Sequence, residues 1–101
     1  MRIRLSRSAR TDINEGKAFY DNKQSGLGDY FVNCIKADIH SLLFTAGVHS
    51  VKYRDYHRMV CHTFPFAIYY TKIEQDVVVY AVVDCRRAPA WFRKQLRNRS
   101  T

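Results

Sequence analysis

The run VVVYAVV at residues 77–83 constrains this chain most. Seven consecutive apolar residues rich in β-branched side chains cannot leave one face in water, so they require a strand covered on both sides. Residues 67–73 form a second β-prone run, and Glu74-Gln75-Asp76 between the two is short and polar, as a hairpin turn should be. The later run empties into Arg86, Arg87, Pro89 and Trp91. The stretch 64–91 therefore delivers two cations to the end of a buried strand, where a rigid scaffold can aim them at an anionic or macromolecular target.

Cover for that strand must come from elsewhere in the chain. Arg2-Ile3-Arg4-Leu5-Ser6 alternates polar and apolar like a short strand with one buried face. Ser8 then suits the cap of a helix whose apolar positions Ala9, Ile13, Gly16 and Tyr20 keep helical spacing, with Asp12 and Glu15 early in it, where the dipole favours acids. Residues 22–28 break the pattern with Ser25-Gly26 and Gly28. A second helix begins near Leu27 and aligns Phe31, Cys34, Ile35, Asp38, Ile39, Leu42 and Leu43, with Asp38 at the margin of the stripe. These two helices make an antiparallel hairpin that covers one sheet face.

Residues 45–57 contain Gly47 and a mixed basic, aromatic and acidic string, which predicts a loop of about a dozen residues. From Arg58 the period becomes two, with Met59, Cys61 and Thr63 opposing Val60, His62 and Phe64 until Pro65 breaks the strand. On that pattern His62 is a partly buried packing residue. The tail from Arg86 holds Arg86, Arg87, Arg93, Lys94, Arg97 and Arg99 and no acid. Pro89 suits the first turn of a short helix carrying Trp91, Phe92 and Leu96, and residues 93–101 are the part expected to be flexible. Either residues 88–96 or a second protein must cover the other sheet face. The expected fold is one α+β domain over residues 1–101: an N-terminal strand, an antiparallel helical hairpin on an antiparallel β-sheet, and a short C-terminal helix.

A formal charge of +8 directs attention to nucleic acid, nucleoprotein or acidic protein partners. The N-terminus lacks the apolar segment of a secretory signal, and no apolar run approaches the roughly 20 residues of a membrane span, so a cytoplasmic chain with no membrane partner is expected. Cys34, Cys61 and Cys85 are odd in number and set in apolar patterns, which suits core thiols. No C-x-x-C or H-x-x-x-H spacing occurs, so neither a metal nor a cofactor is expected. Gly26-x-Gly28 follows no strand and precedes no Lys-Ser/Thr, so it is a turn between helices and not a phosphate loop.

Particular residues carry a family likeness. Arg4-Leu5-Ser6, Ala9, Asp12-Ile13 and Tyr20 at the front, and Gly28, Tyr30 and Phe31 opening the second helix, combine with Arg58, Phe64-Pro65-Phe66, Ile68-Tyr69-Tyr70, Val82 and Cys85-Arg86-Arg87-x-Pro89. In order and spacing these motifs resemble the RelE/ParE toxins of bacterial toxin-antitoxin operons over about residues 2–92, and the ParE-like branch more closely. The resemblance implies a growth-arresting toxin neutralised by a cognate antitoxin. ParE-like members are described as poisoning DNA gyrase, and RelE-like members as cutting messenger RNA on the ribosome.

Metal-independent RNA cleavage needs a group to activate the 2′-hydroxyl, an acid for the leaving oxygen and cations for the phosphorane. Arg58, Arg86, Arg87, Lys52 and Arg54 could supply cations, and His57, His62, Tyr53 or Tyr56 could carry protons. Where RelE-like nucleases carry an arginine on the strand after its aromatic opening, this chain has Ala67, and its tail offers Trp91 and Phe92 in place of a late Tyr or His. These departures favour binding over catalysis, with Arg86, Arg87, Trp91, Arg93 and Lys94 facing gyrase. Trp91 has a second possible role, locking the tail helix onto the sheet. A partly disordered acidic antitoxin is expected to contact Tyr20, Phe31 with its exposed neighbours, and Arg58, and to add a strand at the sheet edge. The runner-up is a ribosome-dependent ribonuclease using Arg58, Arg86 and Arg87, with the ribosome and mRNA as partners. A third reading, a small basic nucleic-acid-binding module, would show strongly salt-dependent binding to free RNA or DNA.

Overall fold

A computed structural model describes residues 2–99. Strand β1 (Arg2–Leu5) leads into helices α1 (Arg7–Lys23) and α2 (Leu27–Thr45), then strands β2 (Val51–Tyr53), β3 (Tyr56–Val60), β4 (Phe66–Ile73) and β5 (Asp76–Asp84), and finally helix α3 (Pro89–Arg99). The five strands form one sheet in the order β1-β5-β4-β3-β2. The α+β architecture is as expected. The sheet, however, is mixed: β1 runs parallel to β5, and the remaining neighbours are antiparallel.

The VVVYAVV run lies in β5, between β1 and β4, and both of its faces are covered. On one face Val77, Val79 and Val82 join Ile68 and Tyr70 of β4 under Ile13, Phe31, Ile35 and Leu42 of the helical hairpin. On the other, Ala81 and Val83 join Ala67 and Tyr69 under Phe92 and Leu96 of α3. The C-terminal helix, and not a second protein, is thus the cover for the second face. The change from odd to even numbering within β5 has a local cause. Tyr69 pairs with Ala81 and Tyr70 with Val79, so a bulge at Tyr80 inverts the alternation.

Close packing fixes the hairpin. Gly16 of α1 faces the Phe31 ring, where an added Cβ would lie 2.6 Å from two ring carbons. Asp21 accepts the Gly28 N–H at 2.8 Å and the Lys17 ammonium at 3.0 Å, closing the turn between the helices.

Five local expectations need correction. Ser6, not Ser8, caps α1, because Ser6 Oγ accepts the Ala9 N–H at 3.0 Å while its own N–H holds the Val79 carbonyl and so ties cap to sheet. The segment 45–57 is not one loop: β2 and the start of β3 lie inside it, joined by a tight turn in which Arg54 has positive φ. Strand β3 ends at Val60 instead of continuing to Phe64, since the following N–H groups turn to other acceptors, Cys61 to the Phe66 carbonyl and His62 to Asp38. Asp38 is buried, not marginal, and its carboxylate also takes His62 Nδ1 at 2.7 Å. The His62 side chain itself is 77% exposed, not a packing residue, because the chain has left the sheet there.

Of the thiols, Cys61 is buried, and both burial and the neighbouring Asp38 raise its pKa; Cys34 and Cys85 are half-buried. Leu43, placed on the helix stripe by its spacing, faces outward. Among the described residues no helix is long and apolar enough to cross a membrane.

Candidate functional site

Two concavities flank α3. The first is a cleft of about 450 Å³ between α3 and the β2-β3 end of the sheet, lined by Lys52, Tyr53, Arg58, Tyr69, Cys85, Arg87, Arg93 and neighbouring apolar groups. Among the described residues, four cations from β2, β3, the β5-α3 turn and α3 meet there without a carboxylate in the lining. Register explains Arg58: it lies directly opposite Tyr69 on β4, and its Nε donates to the Tyr69 hydroxyl at 3.1 Å. Tyr69 is buried, and burial raises its pKa despite the opposing pull of Arg58. At neutral pH that hydroxyl keeps its proton, which makes it a hydrogen-bond partner and not a base.

The second concavity, a groove of about 700 Å³, runs between α1 and α3 across the end of β5. Phe19, Tyr20, Phe66 and Trp91 supply its apolar surface, with Arg7, Arg87, Asp12 and Asp84 among its charges. Its floor holds a connection between the two ends of the chain. Asp12 accepts the Val82 N–H at 3.0 Å, beyond the end of β1, and also receives both terminal nitrogens of Arg99, which donates in addition to the Tyr80 carbonyl. With side-chain exposures of 15% for Arg99 and 10% for Asp12, this ion pair is shielded from solvent. Residues 93–99, expected as a flexible tail, therefore form the second half of α3 with its end anchored; residues 100 and 101 lie outside the described residues.

The paired arginines diverge. Arg86 is exposed but committed to Asp84, donating from Nε at 2.9 Å and from a terminal nitrogen at 2.5 Å, and this pairing holds the Asp84 carboxyl below its usual pKa. Arg87 instead lies over the Trp91 ring, 4.8 Å from its centroid, and lines both concavities. Arg93 joins the cleft, Lys94 is exposed on α3, and Trp91 borders the groove while packing against Phe92. Of the five residues expected to face one target, Trp91 shares the groove with Arg87 and Arg93 shares the cleft with it, while Arg86 and Lys94 line neither concavity.

The three expected antitoxin contacts separate further. Arg58 belongs to the cleft. Tyr20 is half-buried at the groove in a cluster with Phe31, Phe64 and Phe66. Phe31 is fully buried against Gly16 and offers no surface; its neighbour Tyr30, 53% exposed, does. The sequence names Tyr69 and Cys85 within the family motifs but gives neither a place in a site, and it does not pair Asp12 with Arg99. Strand alternation on β4 puts Tyr69 beside Ala67 on the α3 side, but pairing across 87 positions leaves no local trace.

Among the proton carriers considered for cleavage, only Tyr53 lines the cleft. Tyr56 is buried beneath α3, His57 belongs to a separate cluster with His49 and Tyr70, and His62 is held by Asp38. Among the described residues, the cleft lining has cations but no histidine or carboxylate to move a proton.

Comparison with known proteins finds no matching family model and no matching curated protein. Among solved structures, the chain is similar in fold to a chain from the chromosomal ParDE TA system from P. aeruginosa, with a TM-score of 0.77 and 12% identity. The match covers 83% of this chain and 95% of that one. At that identity, the likeness is one of fold.

Proposed function

We propose that this protein is the toxin of a type II toxin-antitoxin pair, neutralised by a cognate antitoxin, and that it acts by docking on DNA gyrase. The observation that carries the toxin reading is the near-complete fold likeness to a ParDE-system chain, together with the front and back motifs that resemble the same family. Docking is favoured over catalysis by the cleft's lining, which has cations and tyrosines but no histidine or carboxylate. Arg87, Trp91, Arg93 and Lys94 are the target-facing group, with Arg86 ordering the turn through Asp84. A half-buried tryptophan with an exposed arginine over its ring, at the start of a helix, is the kind of anchor that dominates protein interfaces.

A second reading has its own observation. Lys52, Arg58 and Arg87 converge with Tyr53 and Tyr69 in one cleft, an arrangement that would grip a phosphodiester and stabilise charge on it. Two purified reactions separate the readings. The gyrase reading expects inhibited or trapped gyrase and intact ribosome-bound message; message cut on the ribosome with gyrase unaffected would replace it with the nuclease reading. The toxin reading itself expects growth arrest on induction, relieved by co-expression of the adjacent antitoxin.

A further inference from the structure

The turn between α2 and β2 is pinned by side chains that neither concavity uses. Gly47, at φ +96°, donates its N–H to the Tyr70 hydroxyl oxygen at 2.9 Å. His49 Nδ1 lies 2.5 Å from the same oxygen. A hydroxyl that accepts from Gly47 still has its own proton to give, and His49 Nδ1 takes it if the imidazole is neutral with its hydrogen on Nε2. His57 Nδ1 donates to the His49 carbonyl at 2.7 Å, and its ring stacks on Tyr70 with centroids 5.0 Å apart, while the His49 ring meets Tyr70 edge-on. Tyr70 is fully buried, so each of these bonds replaces one that water would otherwise make.

We propose that His49, Tyr70 and Gly47 form a proton-operated latch: neutral His49 holds β2 in place, and a protonated His49 releases it together with Lys52 and Tyr53 of the basic cleft. Once protonated, Nδ1 becomes a second donor aimed at an oxygen that already accepts from Gly47, and the hydroxyl proton loses its acceptor. Strand β2 is the element most exposed to that loss. It is three residues long, lies at the sheet edge, pairs with β3 through an irregular register, and is joined directly to the pinned turn.

The groups facing the latch are His57 of β3, Tyr70 of β4, and Lys72 of β4, whose stem lies against Gly47. Burial and the neighbouring His57 hold the His49 pKa below its ordinary value, and among the described residues no carboxylate contributes to offset them. His49 is therefore neutral at neutral pH and takes up its proton more readily once the latch has opened. The inference rests on the hydrogen-bond geometry and stands whichever target the cleft serves.

NMR on the full chain between pH 8 and 5 tests it. His49 is expected to titrate below about 6.5, with the amides of Gly47, Lys52 and Tyr53 moving at the same midpoint. Exchange protection in β2 should fall by about tenfold per pH unit between the free histidine value and that midpoint, while α2 and β5 keep theirs. His49→Asn keeps an acceptor at the position of Nδ1 but cannot titrate, so its β2 protection should become independent of pH. Tyr70→Phe keeps the ring and should lose β2 protection already at pH 7.5. Unchanged β2 protection while His49 titrates would overturn the proposal. The same pH response persisting in His49→Asn would do so too.

Discussion

The two faces of the sheet are built to different standards. Under the helical hairpin, two long helices bury Phe31, Ile35, Leu42 and their neighbours against four of the five strands, and no cation enters that cluster. Under α3, a single eleven-residue helix brings Phe92 and Leu96, with Trp91 partly buried beside them, to a smaller, tyrosine-rich cluster, and its margin carries Lys52, Arg58, Arg87 and Arg93. The hairpin face concentrates apolar burial and hence stability. The α3 face gives up area at its edge and leaves charge there unneutralised.

The largest test of this asymmetry is Phe31→Ala. Its ring fills the space against Gly16 and meets Tyr20, Phe64 and Phe66, so truncation should cost about 4 kcal/mol in urea denaturation. Phe92→Ala, on the thinner face, should cost about half as much by the same cavity argument. Equal losses would mean that α3 is as integral to the core as the hairpin is.

Next comes Arg99→Ala. Removing the guanidinium leaves Asp12 shielded and without its cation, although the Val82 N–H remains, so a loss of about 2 kcal/mol is expected. Because Arg99 also anchors the end of α3, protection at Phe92 and Leu96 should drop more than protection at Ile35 and Leu42. Uniform weakening would show that the ion pair supports the whole fold and not the α3 face in particular.

Much of the hairpin face was legible in the sequence because its signals are local. Ala9, Ile13 and Gly16 at helical spacing, and an apolar run too long to be half-exposed, each report burial within a few turns of chain. The α3 face was less legible because it depends on register. The bulge at Tyr80 inverts strand parity, so simple alternation along β5 assigns Val82 and Val83 wrongly on one side of it. The cleft draws cations from residues 52, 58, 87 and 93, on separate elements, and neither Arg86 nor Lys94 is in its lining despite sequence adjacency. Asp38 looked marginal by helical angle, and only the fold brings His62 to it.

Charge reversal in the cleft separates stability from function. Lys52 and Arg93 are exposed, and neither side chain is needed to satisfy a buried group, so Lys52→Glu with Arg93→Glu should change stability by no more than about 0.5 kcal/mol. If the chain arrests growth as proposed, and the cleft or its rim meets the target through these charges, that arrest should nonetheless weaken by about tenfold or more. Intact arrest in the double variant would move the target-facing surface to the groove, where Arg87 and Trp91 also lie.

The smallest effect probes a point outside both faces. Glu74 turns the β4-β5 hairpin with φ 56°, a left-handed conformation that costs a side-chain-bearing residue about 1 kcal/mol relative to glycine. Glu74→Gly removes that strain but widens the unfolded ensemble, leaving a net gain of about 0.5 kcal/mol. The turn is exposed, and the adjoining Gln75 carbonyl receives the Arg2 N–H, so the change touches neither apolar cluster. Its gain should therefore add, within about 0.5 kcal/mol, to the losses from Phe31→Ala and from Arg99→Ala alike. A gain that survives one of those backgrounds and disappears in the other would show that the hairpin turn is coupled to a single face, and that the two clusters do not respond independently through the strands they share.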